Sequence, residues 1–87
     1  MKKKEQFVAR TIGGEHIMLA VGETALKFNG LIYANDVSAF IWNNIEKAKD
    51  SEEMVKMVCD EFDVTYEEAF RDVDELIQQM KKAGWIE

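Results

Sequence analysis

The apolar pattern of this chain changes period once, near Asn35, and that change divides it into a sheet-forming part and a helix-forming part. Upstream, QFVARTI at residues 6–12 and EHIMLAV at 15–21 alternate in the two-residue period of a strand and are rich in strand formers. In the second run Ile17, Leu19 and Val21 share one face, and His16, Met18 and Ala20 share the other. Gly13-Gly14 between the runs is a two-residue hairpin signal. Residues 22–30 carry no clear period and end on Asn29-Gly30, a second turn or bulge signal. Leu31-Ile32-Tyr33-Ala34 then reads as a third strand.

Downstream, apolar residues recur at helical spacing. Asn35 or Asp36 caps a helix over residues 36–47, with Val37, Phe40, Ile41 and Ile45 on its stripe and Trp42 widening it. A second helix starts at Asp50 or Ser51, Asp50 and Glu53 forming a near capping box. Its stripe is Met54, Val55, Val58 and Phe62, with Cys59 beside it. Thr65 and Glu68 have the form of a capping box for a third helix, whose stripe is Ala69, Val73, Leu76, Ile77 and Met80. Lys81 and Lys82 complement the dipole of its last turn, and Gly84 is its natural stop, beyond which Trp85 and Ile86 fold back onto the core. The expected fold is α+β, in the order β-β-β-α-α-α: a three-stranded antiparallel sheet followed by three helices, like a winged helix-turn-helix.

With 87 residues the chain allows one domain, 1–87. A domain of this size buries roughly 60–65% of its unfolded surface, too little to also enclose a large cofactor. No apolar run reaches membrane-spanning length, and the start MKKKE leads into no signal-peptide core. The lone Cys59 forbids an internal disulfide and fits a reducing, cytoplasmic location. Charge is split. Residues 1–49 hold seven basic and five acidic residues, a balance of +2, and residues 50–87 hold four and twelve, a balance of -8. Such a C-terminal half repels a phosphate backbone, so neither nucleic acid nor a membrane is an expected partner.

The chemistry inventory is that of a binding module. One His and one Cys, 43 positions apart and on different kinds of element, assemble no nucleophile, base and orienting group. No phosphate-cradling glycine loop and no zinc-ligand spacing occurs. Cys59 reads as a half-buried small hydrophobe, His16 as a surface strand residue, Lys2-Lys3-Lys4 as a short flexible basic terminus, and Trp42, Phe62 and Trp85 as core. Phe70 lies one step off the centre of the third-helix stripe and widens it on the flank of Ile77.

The segment from Leu31 to Trp42 resembles the strand-to-helix segment of the PqqD family. So do Asp50, Glu53, Val55, Val58, Phe62, Val64, Glu68, Ala69, Asp72-Val73, Leu76-Ile77, Met80 and Gly84-Trp85-Ile86 at their spacings. Ser38 stands where a Gly is usual, a Gly is missing around Lys49-Asp50, and Trp85 replaces the common Leu. The resemblance implies a non-catalytic, cofactor-free module that binds the leader of a ribosomally made precursor peptide. The leader would add as a strand to the sheet edge against the third helix and be presented to a modifying enzyme. That enzyme would be a radical SAM protein, or a peptidase or cyclase, as in PQQ or lasso-peptide biosynthesis. The third strand has no proline or lysine to protect its edge, which suits strand addition. The expected peptide site is Leu31, Ile32, Tyr33 and Ala34 through main-chain bonds, Phe70 and Ile77 as an apolar floor, and Arg71, Asp74 and Lys81 as a polar rim. The competing expectation is a winged-helix DNA-binding regulator. The working species is expected to be a monomer, with a strand-exchanged dimer as the alternative, hinged at the Val21-to-Asn29 connection.

Overall fold

A computed structural model describes residues 1–28 and 31–87, and of residues 31–33 only the strand they form. The turn or bulge read at Asn29-Gly30 lies outside the described residues. The strands are β1 (Phe7–Ile12), β2 (Glu15–Ala20) and β3 (Leu31–Ala34), and the helices are α1 (Asp36–Asn44), α2 (Ser51–Glu61) and α3 (Tyr66–Ala83). The sheet is antiparallel in the order β1-β2-β3, so β2 is central. Ile12 pairs with Glu15 across Gly13-Gly14, both at positive φ (59° and 81°), as a twist-matched two-residue turn requires. The alternation carries Phe7, Met18 and Ala20 to the face that meets the helices.

All three helix caps sit where short polar side chains placed them. Asn35 accepts from the Ser38 amide, Asp50 from Glu53 and Thr65 from Glu68. At the end of α3, Gly84 takes the left-handed conformation. Its amide donates to the Lys81 carbonyl and the Trp85 amide to that of Met80, which completes a Schellman stop and turns Trp85 back over the domain. The core gathers Phe7 and Met18 from the sheet, Ile41, Trp42 and Ile45 from and just after α1, Met54, Val55 and Val58 from α2, and Ala69, Val73, Ile77 and Met80 from α3. Trp42 is fully buried, and its indole N–H donates to the Phe7 carbonyl at 3.0 Å. Phe62, Cys59 and Trp85 are half-buried against this cluster.

Four expectations change. The helix read over 36–47 ends at Asn44, whose side-chain amide donates to the Phe40 carbonyl and competes with the continuing helix. The Lys2-Lys3-Lys4 terminus is not free: Lys3 bridges to Ile86, the Lys4 amide donates to the Trp85 carbonyl and the Glu87 amide to that of Lys2. The Lys3 ammonium lies 4.6 Å over the Trp42 ring, and burial there pushes its pKa down. His16 is not a bare surface residue. Its Nε2 contacts the Asp36 carboxylate, and Thr11 Oγ1 lies 3.2 Å from its Nδ1, so one ring ties the hairpin to the start of α1.

The fourth change is the connection read as a loose hinge. Gly22–Leu26 is a short 3₁₀ helix. Thr24 is buried; its hydroxyl accepts from the Gln6 amide at 2.6 Å and donates to Glu5 at 2.7 Å, and Glu5 also accepts from Lys27 at 2.8 Å. Thr24→Val should leave the Gln6 amide without its partner and cost about 1–3 kcal/mol in chemical denaturation. Bonding to Lys27 and then Thr24 holds the Glu5 carboxyl below its ordinary pKa. A depressed carboxyl contributes stability above its unfolded pKa and loses it as pH falls through the folded value. Parent and Glu5→Gln denaturation midpoints should therefore differ most near neutral pH and converge on acidification below the ordinary carboxylate range.

Candidate functional site

Among the described residues β3 pairs with β2 alone, so one side of its backbone is an unpaired ladder. Beside that edge, β3, the first turns of α1 and the C-terminal half of α3 enclose a groove of about 350 Å³. Its described lining is Met18, Ala34, Ser38, Leu76, Gln79, Met80, Ala83 and Trp85, with no charged side chain among these residues. A second hollow of about 210 Å³ continues from it over Asn35, Val37, Ile41, Asp72 and Glu75, sharing Ser38, Leu76 and Gln79. The groove thus runs from an apolar end near Trp85 to an acidic end at Asp72 and Glu75. The edge supplies main-chain donors and acceptors, and the hollows can take side chains, as strand addition requires.

Leu31–Ala34 form the edge strand, and of these expected strand residues Ala34 borders this groove. The expected helix residues do not. Positions 72, 76, 79 and 83 recur at helical spacing and form the flank of α3 that faces β3. Positions 70, 74, 77 and 81 form another, and a two-residue offset is about 200° around a helix. Ile77 is buried at 5% exposure, a core residue and not an accessible floor. Asp74, Ile77 and Lys81 border a hollow with Met1, Lys49, Asp50 and Ser51, on the side of the α1–α2 connection. Phe70 and Arg71 line a further hollow with Tyr66, Glu67, Asp74 and Glu75, which meets the acidic end of the groove at Glu75. The floor beside the open edge is instead Leu76, Gln79, Met80 and Ala83. Two sequence features bear on it: Leu76 belongs to the apolar stripe of α3, and the small Ser38 replaces the Gly expected where the hollows meet. Phe70→Ala should therefore leave the affinity for a peptide held at β3 within about twofold of the parent, because an exposed residue outside the contact is energetically near-neutral. Peptide titration measures this.

Sheet, helices and groove define the class: a small α+β domain with an open strand edge and a side-chain groove beside it. Residues 15–86 match the family model of coenzyme PQQ synthesis protein D (PqqD), and the chain belongs to that family. No curated protein matches it by sequence. A solved structure described as TbiB1 in complex with the TbiA(beta) leader peptide has the same fold, at a TM-score of 0.68 and 24% identity, covering 100% of this chain and 95% of that one. No described helix is long and apolar enough to cross a membrane.

Proposed function

We propose that this chain is a single-domain, non-catalytic recognition module of the cytoplasm. It binds the leader of a ribosomally made precursor peptide and presents it to the enzyme that modifies the precursor. The observation that carries this is the open β3 edge beside a groove with an uncharged apolar floor, in a chain of the PqqD family. The leader adds antiparallel or parallel to β3, its amides and carbonyls completing the ladder, and every second side chain turns into the groove toward α3. The similar fold of TbiB1, described with a leader peptide, supports the same use of the groove here. Strands packed on a three-helix layer, with α3 lying over the groove, are the winged helix-turn-helix-like arrangement put to peptide binding. The domain supplies position and no chemistry, so the bond-making belongs to the enzyme it serves, a radical SAM protein or a peptidase or cyclase. The bound species is a monomer, because a second copy pairing at β3 would occupy the leader's edge.

The test is calorimetric titration with synthetic leader peptides of any candidate precursors found near its gene, with scrambled versions of them and with duplex DNA at low salt. Saturable one-to-one binding of the leader alone is the expected result. Salt-sensitive, sequence-specific binding of DNA with no leader binding would replace this function with that of a winged-helix regulator.

A further inference from the structure

Tyr66 and Phe70 are 54% and 51% exposed, stacked on each other at 6.4 Å between ring centroids and 27° between planes. They line one hollow of about 500 Å³ with Glu67, Arg71, Asp74 and Glu75. Among the described residues the other exposed large apolar side chains, Ile12, Leu19 and Leu26, are not part of this stack. We propose that this aromatic pad is the docking surface for the modifying enzyme, on the flank of α3 next to the leader groove, which it meets at Glu75. The proposal rests on the leader-binding function above.

The occupant follows from charge and from geometry. Three carboxylates against one guanidinium ring the two aromatics, within a C-terminal half whose balance is -8. That rim repels a phosphate surface, whether nucleic acid or lipid headgroup. It also opposes a second copy, since a two-fold contact at the pad would bring Glu67, Asp74 and Glu75 against their own equivalents. The rim matches a protein surface that presents an apolar knob among Lys and Arg residues, the arrangement in which aromatic anchors dominate binding. A module that delivers one partner to another must hold both at once. Positions 66, 70 and 74 and positions 72, 76, 79 and 83 occupy different flanks of one helix, and among the described residues only Glu75 borders both hollows, so the two contacts meet at one rim residue and leave each other's apolar floor free.

The test uses the full chain, the leader that binds it in those titrations and the purified enzyme that modifies that leader's precursor. Two double variants are compared with the parent: Tyr66→Ser with Phe70→Ser, and Glu67→Lys with Asp74→Lys. All four residues are exposed, and unchanged thermal unfolding confirms the fold. Both variants should bind leader within about twofold of the parent and bind the enzyme at least about tenfold more weakly, with the parent's enzyme affinity falling as salt rises. Variants that bind the enzyme as the parent does overturn the pad, as does a parent that binds leader but not the enzyme. Loss of leader binding in the folded aromatic variant also overturns it, because the pad would then belong to the leader site. A parent that does not bind leader fails the underlying function instead, a result read independently in the same titrations.

Discussion

Trp42→Ala should remove a large part of the domain's stability. Trp42 has no exposed surface and packs edge-on against Phe7 at 5.7 Å and Trp85 at 6.0 Å. Truncating a buried Trp costs about 3–5 kcal/mol. A chain of this length has a total stability on the order of 5–10 kcal/mol. At about 4–8 °C per kcal/mol, the melting temperature should fall by more than about 12 °C. Milder variants separate packing from hydrogen bonding. Trp42→Phe also removes the donor to the Phe7 carbonyl, whereas the indole N–H of Trp85 is buried with no partner among the described residues. Trp85→Phe should therefore cost less than Trp42→Phe, by about 1 kcal/mol or more. Equal costs in chemical denaturation would show that the Trp42 bond contributes nothing net.

The second large effect falls on binding. Leu76 is half-buried and lines both sections of the groove, where a leader side chain would lose its apolar floor if it were truncated. Leu76→Ala should weaken leader binding about 10- to 100-fold, or about 1.4–2.7 kcal/mol, and Ala83→Trp should block the exposed mouth of the same hollow with little change in stability. Titration of both variants with leader checks this. Undiminished affinity in the two would move the leader off the α3 flank.

What could be read from residues alone was what is decided locally. The caps at Asn35, Asp50 and Thr65, the Gly13-Gly14 turn and the Gly84 stop each depend on a few neighbouring residues. So do the helical stripes, whose centres proved buried at Ala69, Val73 and Met80. The short 3₁₀ helix was not readable. Its five residues are too few to show a period, and its fastening comes from Glu5 and Gln6, far away in the chain. That Phe70, Ile77 and Lys81 lie off the hollow beside β3 was not readable for the same kind of reason. A stripe reveals which side of a helix faces the core, but not which shoulder of that stripe meets the sheet. That is set by how α3 packs on α2 and so comes to face β3 and α1 across the hollows, which no spacing within the helix encodes. Phe70 widened the stripe on one shoulder, and the open strand lies at the other, beside Leu76 and Ala83. The Lys2–Lys4 segment likewise reads as loose in composition, and it is held by main-chain bonds to residues 85–87.

The central claim is that leader completes the sheet at β3. Amide hydrogen exchange of the chain, with and without saturating leader, tests it at the backbone groups concerned. The β3 amides at residues 31–34 should exchange markedly more slowly in the complex, while those of β1 on the opposite edge of the sheet stay as they were. Protection that appears along β1 or around Tyr66 and Phe70, with β3 unchanged, would contradict strand addition at β3.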